Sequence, residues 1–484
     1  MTEAAFRSAT VLAAAIRTRE IGCRELLEHY RQRVERYNPA LNAIIVTDFP
    51  RARERADAAD AALARGECWG ALHGVPMTVK ESFDVVGMPT TWGLTALKNN
   101  VPNANAVAVD RLLAAGAIIF GKTNVPVLLA DSQSYNPVYG TTSNPWDTSL
   151  TPGGSSGGAA AALAAGLTGL ELGSDLGGSI RNPAHYCGVW GHKPTYGIAP
   201  PRGQALPGNV AAWDILVIGP LARSARDLAL ALDIIAGPDP IEAAGWRLEL
   251  AAPRGNALSD YRIAVMLDDR ICEVDREVQD LLQRLVDFLS GQGVRVSDRA
   301  RPEINTAELQ AVYNKLYRAA ASLRLTQEGF ERQLVFAGGL DPADQSYFAH
   351  MVRDTTVSHR EWLAANEQRH RLRLQWAEFF RDCDLLLCPV TAGPAYPHDH
   401  EGERWERMIQ INGKPVRTIN DLFWAGLGGL VYLPATVAPA GLTAKGLPVG
   451  VQIVGPQYGD KSCIAFAGLL ERAYRSFVPP PNFA

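Results

Sequence analysis

Two segments of the 484-residue chain embed serine among glycines: Gly153-Gly154-Ser155-Ser156-Gly157-Gly158 and Asp175-Leu176-Gly177-Gly178-Ser179-Ile180-Arg181. Glycine permits backbone geometry and close approaches that a side chain forbids. Such clusters can aim backbone N–H groups at an anion, clear space around a reactive hydroxyl, or form flexible turns. Their placement argues for a site. The first cluster precedes a predicted helix and the second follows a predicted strand. Residues 133–158, dense in Gly, Pro, Ser, Asn and Thr, feed the first. A long irregular stretch inside a compact domain is uncommon unless it is functional.

A serine hydroxyl is a weak nucleophile at neutral pH and needs a base. His185, six residues past Ser179, is one candidate, although a lone histidine more often packs or hydrogen-bonds. Lys80 is the other, because Ser–Lys pairs serve as alternatives to Ser–His. It ends the apolar segment Val75-Pro76-Met77-Thr78-Val79. Burial there disfavours the ammonium, leaving an amine able to accept a proton. Residue types alone also allow Lys80 to be a solvated surface lysine.

Two further motifs invite chemistry and do not sustain it. Gly116-Ala-Ile-Ile-Phe-Gly121-Lys122-Thr123 spells a phosphate-binding loop. Its four middle residues read as strand, and Pro126 stands where the following helix should run. His398-Asp399-His400 has metal-ligand residue types, but a solvated loop is the simpler reading, and no HExxH or paired-cysteine set accompanies it.

These residues need elements to position them. Ser8 to Gly66 has helical periodicity, with Leu12, Ile16, Ile21, Leu26, Leu27 and Tyr30 at three-to-five-residue steps. Leu72–Val79 and Ala117–Phe120 read as strands, with a helix over Val107–Ala115 between them. A helix over Ala159–Leu167 and a strand near Gly169–Leu172 link the two serine clusters. Further on, Ser224–Ile235 and Val278–Leu289 predict helices, Ile263–Leu267 a strand, and 305–385 a largely helical stretch. Leu385–Pro389, Pro434–Val437 and Val449–Val454 predict strands, Ser462–Arg475 a helix, and 391–419 a polar loop. The alternation predicts an α/β fold with a mixed sheet in a single large domain spanning 1–484.

Composition bounds the function. The chain is 47% hydrophobic and 20% charged, with a formal net charge of -4. Nothing resembles the basic stripe of a nucleic-acid binder. No stretch approaches the ~18 apolar residues of a membrane span. Seven cysteines without a CxxC pair read as free thiols in a reducing compartment. No basic region precedes an N-terminal apolar run, so no secretory signal is read, and a cytoplasmic location is expected.

The motifs together resemble the amidase signature enzymes. Gly74-Val75-Pro76 through Lys80, Gly121-Lys122-Thr123-Asn124, Asn144-Pro145-Trp146-Asp147 and the two glycine clusters match that family's core in order and spacing. The likeness continues through Gly191-His192-Lys193-Pro194-Thr195 and Gly219-Pro220-Leu221-Ala222-Arg223-Ser224, and ends at Gly446–Gly455. The resemblance implies a mixed, twisted sheet flanked by helices. Within it lie an N-terminal helical region at 1–66, a catalytic core at 74–200 and a variable, substrate-shaping region at 305–430. It further implies that Ser179 is the nucleophile, Ser155 a bridge preceded by a cis Gly154–Ser155 peptide, and Lys80 the neutral base. The backbone N–H groups of Leu176, Gly177, Gly178 and Ser179 would form an oxyanion hole. Gly154, Ser156, Asp175 and Arg181 would support the site. No metal or organic cofactor is implied. The partner would be a small-molecule amide, with no nucleic acid and no membrane, and the family resemblance alone points to a homodimer.

The chain departs from the family pattern at two places. Val125-Pro126-Val127-Leu128-Leu129 lacks the acid many members carry after the Lys-Thr-Asn segment, and Leu176 replaces a small polar residue. Both changes suggest small hydrophobic or aryl amides as substrates. A carbamate or ester hydrolase with the same triad is the nearest alternative. Another is the tRNA-dependent amidotransferase A-type subunit, whose helical segment residues 310–360 do not resemble. An NTP-binding protein is the alternative of another class.

Overall fold

The computed structural model describes residues 2–483. In chain order its strands are β1 (Ile44–Thr47), β2 (Pro76–Lys80), β3 (Ile118–Thr123), β4 (Tyr135–Asn136) and β5 (Gly140–Thr141). Next come β6 (Glu171–Asp175), β7 (Trp190–Lys193), β8 (Val217–Ala222), β9 (Arg262–Val265) and β10 (Arg295–Ser297). The last are β11 (Leu385–Pro389), β12 (Met408–Ile411), β13 (Lys414–Arg417), β14 (Ala435–Leu442) and β15 (Pro448–Val454). Eleven of them form one sheet in the order β1-β3-β2-β6-β8-β7-β14-β15-β11-β9-β10. β4–β5 and β12–β13 are separate two-stranded ribbons. The sheet is mixed: β2 runs parallel to β3 and β6, whereas β6–β8, β7–β8 and β14–β15 are antiparallel.

The helices α1 (Ala9–Arg17), α2 (Cys23–Leu41) and α3 (Phe49–Ala64) open the chain. Of the periodic residues, Leu12, Ile16, Leu26, Leu27 and Tyr30 are buried and Ile21 is partly buried against the core. Between α2 and α3 lies β1, which the helical reading of 1–66 misses. Its four residues, Ile-Ile-Val-Thr, are β-branched and pair antiparallel with β3. The helix α4 (Val107–Ala114) leads into β3, and α5 (Gly157–Ala164) and α6 (Arg181–Cys187) flank β6. All eight residues of α5 are buried. Its run of alanine combines high helix propensity with little bulk, which suits a helix packed on every side.

After β8 come α7 (Ala225–Ile235), α8 (Arg276–Gly291) and a helical stretch of α9 (Thr306–Ala321), α10 (Gln327–Gly339), α11 (Tyr347–Thr355) and α12 (His359–Asp382). The chain closes with α13 (Leu422–Gly429) and α14 (Asp460–Ala473). The segment 391–419 is not wholly loop, because it holds the β12–β13 ribbon, where Ile409 and Ile411 are buried. The site elements converge at one end of the sheet. Lys80 is the last residue of β2, Asp175 the last of β6, and Ser155 lies just ahead of α5. Ligands in α/β sheets bind beyond the carboxyl ends of parallel strands, and β2 and β6 point two candidate segments there.

Candidate active site

Lys80 is fully buried at the end of β2. Its Nζ lies 2.7 Å from Ser155 Oγ, 3.0 Å from Ser174 Oγ and 3.4 Å from the Ser174 carbonyl. Among the described residues no carboxylate pairs with it. Burial drives its pKa well below the ordinary lysine range; Asp175 opposes this and the Arg324 charge adds to it. Ser155 is 1% exposed, and the Gly154–Ser155 peptide is cis. Gly154 is fixed by close approach: a Cβ there would sit 2.6 Å from the Asp131 carbonyl.

The second cluster turns immediately after β6. Ser156 N–H donates to the Ser179 carbonyl at 3.1 Å, tying the two clusters together. Ser179 is partly exposed and lines a cleft with Gly154, Leu176, Gly177 and Gly178. Ser155 and Lys80 lie behind that wall. No hydrogen bond joins Ser155 to Ser179 among the described residues, so the link between bridge and candidate nucleophile is not closed in this state.

Asp175 organises the loop from below. It accepts hydrogen bonds from Gly178 N at 2.8 Å, Ile180 N at 3.1 Å, and Arg181 Nε and Nη2 at 3.0 and 2.8 Å. Burial alone would raise its pKa, but the Arg181 guanidinium holds the carboxyl well below the usual carboxylate range. Arg181 also donates to the Ala425 carbonyl at 2.9 Å and Gln452 Oε1 at 2.8 Å. Both side chains are 1% exposed, which makes this pair a brace rather than a surface for substrate. Gly178 adopts φ +95°, a conformation that favours glycine. Its N–H is committed to Asp175. The N–H groups of Leu176, Gly177 and Ser179 donate to nothing among the described residues, so three of the four expected donors are unfilled.

His185 is not placed to act on Ser179. It is fully buried, its Nδ1 accepts from Gly450 N at 3.0 Å, and its Nε2 faces the Gly393 carbonyl at 3.2 Å. Burial pulls its pKa down to about 4. The phosphate-loop lookalike is strand β3. Buried Lys122 there donates to the Pro89 carbonyl at 2.6 Å and Thr90 Oγ1 at 2.7 Å. His400 stacks on Tyr135 with ring centroids 3.7 Å apart. Ser174 and Gln204 escaped the sequence reading. Gln204 Nε2 donates to Ser174 Oγ at 3.2 Å, extending the network around Lys80. Ser174 immediately precedes the cluster that starts at Asp175, and that adjacency was the available signal.

Residues 25–464 match the family model described as Amidase. The chain belongs to the amidase signature family. It is 32% identical over 492 residues to the A-type subunit of the glutamyl-tRNA(Gln) amidotransferase of Bdellovibrio bacteriovorus, covering 97% of each chain. It is 32% identical over 476 residues to the indoleacetamide hydrolase of Bradyrhizobium diazoefficiens, covering 96% of this chain and 86% of that one. The crystal structure of a bacterial aryl acylamidase superposes with a TM-score of 0.81 at 27% identity, covering 97% and 96% of the two chains. This amidase signature amidohydrolase thus shares the single-domain mixed-sheet fold of its solved relatives. Among the described residues no helix is long and apolar enough to cross a membrane.

Proposed function

We propose that this chain hydrolyses the C–N bond of small linear amides through an acyl-enzyme on Ser179, with Lys80 as base and Ser155 as proton bridge. The observation that carries the reading is the 2.7 Å contact between a fully buried, unpaired Lys80 and Ser155 Oγ. A lysine without a counter-ion in a buried site is held neutral, which is the state a base needs.

Lys80 draws a proton from Ser155 as Ser155 takes one from Ser179. The Ser179 oxygen then bonds to the amide carbon. The developing oxyanion is received by the N–H groups of Leu176, Gly177 and Ser179, preorganised donors worth about 3–4 kcal/mol each in comparable sites. Ser155 returns a proton to the departing nitrogen and is replenished by the lysine ammonium, and the C–N bond breaks. Water attacks the ester by the same route, releasing the acid and restoring Ser179. Substrate closure of the cleft would bring Ser155 and Ser179 into contact, since catalytic hydrogen bonds often tighten only in the complex. Leu129, Leu176, Val390 and Leu422 line part of the cleft and suit an apolar portion of the substrate.

Turnover of matched amides, anilides, carbamates and esters by the native protein and Ser179→Ala tests this reading. Amide hydrolysis that disappears in the variant supports it, and activity that survives identifies a different nucleophile. The similarity to glutamyl-tRNA(Gln) amidotransferase supports a second reading in which the same triad frees ammonia from an amide for a partner. Robust turnover by the isolated chain argues against that one.

A further inference from the structure

The cleft that holds Ser179 is also lined by Arg324, Arg404 and Tyr317. Arg404 Nη1 donates to the Ala130 carbonyl at 2.7 Å, but neither guanidinium forms an ion pair among the described residues. The Nε atoms of both arginines are buried without a hydrogen-bond partner. Leaving such donors unsatisfied is costly, most of all on charged groups. Asp131 and the Tyr317 phenol favour the Arg404 cation from nearby, but no acid of the cleft pairs directly with either guanidinium among the described residues. Asp131 is engaged by Arg407 at 2.7 Å and by the Tyr135 hydroxyl at 3.2 Å. Asp421 accepts from Ala392 N at 2.9 Å, and burial pushes its carboxyl up to about 6. The local field registers on Tyr317. Burial pushes its phenol up, yet Arg404, Arg324 and Arg318 outweigh that and draw it down to about 8.

We propose that Arg324 and Arg404 receive a carboxylate on the substrate, so that the preferred substrates are small amides carrying an acid group a few bonds from the scissile carbonyl. This rests on the amidohydrolase reading and narrows its substrate class. Arginine presents a planar fork of donors that matches a carboxylate. The apolar residues Leu129, Leu176 and Leu422 would flank the short spacer between acid and amide.

Binding is measured first, with Ser179→Ala protein and isothermal calorimetry of succinate and glutarate against the uncharged glutaramide. The dicarboxylates are expected to bind, the diamide to bind at least tenfold more weakly, and Arg324→Gln or Arg404→Gln to weaken dicarboxylate binding at least tenfold. Arg324→Lys and Arg404→Lys, which keep the charge, guard against loss of fold and should retain part of the affinity. In turnover, the ratio of kcat/KM for succinamate over valeramide should exceed one hundred and collapse in either glutamine variant. Dicarboxylate binding indifferent to both arginines, or a preference for valeramide, would overturn the proposal. Dicarboxylate binding without turnover of any amide would keep the arginine site and remove the amidohydrolase reading. Turnover of neutral amides without dicarboxylate binding would do the reverse.

Discussion

Lys80 Nζ lies 2.7 Å from Ser155 Oγ, and neither group reaches solvent: Lys80 is 0% and Ser155 1% exposed. A protonated lysine there would be buried without a counter-ion, which disfavours the ammonium. Burial is the main cause, and it depresses the lysine pKa well below its usual value of about 10.4.

The pH dependence of activity follows. Protonating Lys80 removes the base, so kcat/KM should fall as pH is lowered through the depressed value and stay high through pH 9. An ordinary lysine would give activity only near pH 10 and above, and such a profile would sink the assignment. Lys80→Arg should lower kcat/KM by roughly a thousandfold or more, because guanidinium does not lose its proton.

The two serines should differ in kind. Ser179→Ala removes the nucleophile and should abolish acyl-enzyme formation, seen as loss of the covalent adduct with an activated ester by mass spectrometry. Ser155→Ala keeps the nucleophile but cuts it from Lys80. Its adduct should still form, roughly a thousandfold more slowly. An adduct mapped to Ser155 instead of Ser179 would reverse the two roles.

Asp175→Asn should destabilise the fold by about 3–5 kcal/mol, because it leaves the buried Arg181 charge without its partner. The acid sign is fixed by the depressed Asp175 pKa. Its stabilisation is fully present above the unfolded carboxyl value of about 3.9 and is lost as pH falls toward the folded value. Urea unfolding at pH 7 and pH 3.5 checks both parts, since the native protein should lose more than the variant on acidification.

His185 should matter for stability and not for the base. Its folded pKa of about 4 lies below the ordinary histidine value of 6.5. The unfolded chain therefore binds the proton first, and stability falls as pH drops from about 6.5 toward 4. His185→Asn should cost about 1–3 kcal/mol through its lost backbone hydrogen bonds. The acid limb of the activity profile should not move. A shifted limb would return His185 to the proton path.

The serine clusters and Lys80 were legible because glycine density and a lysine closing an apolar run leave a local trace, and the mixed α/β sheet followed from alternating periodicities. The edge strand β1 hid between two helices because four residues are too few to establish a period. The strands β7 and β8 hid because Trp190-Gly-His-Lys and Val217-Ile-Gly-Pro-Leu-Ala carry glycine and proline that read as turn. The pairing of the Gly178 amide with Asp175, which takes it out of the proposed oxyanion donors, depends on where the Asp175 carboxylate points, which spacing does not reveal. Arg324 and Arg404 were invisible for another reason. They come from segments about eighty residues apart, and only the packed chain shows both reaching the Ser179 cleft. The Leu176 substitution therefore described one wall of the cleft, while its cationic wall came from elsewhere.

The brace beneath Ser179 reaches far along the chain. Arg181 is anchored by Ala425 and Gln452, 244 and 271 residues downstream. A ribosome that has made residues 80–181 has therefore not yet made the two groups that anchor Arg181 from downstream. On the proposed roles of Lys80, Ser155 and Ser179, the loop gains its last two anchors only when α13 and β15 are added, so a chain cut before residue 425 keeps all three residues and the Asp175 contacts but loses the downstream hold on Arg181.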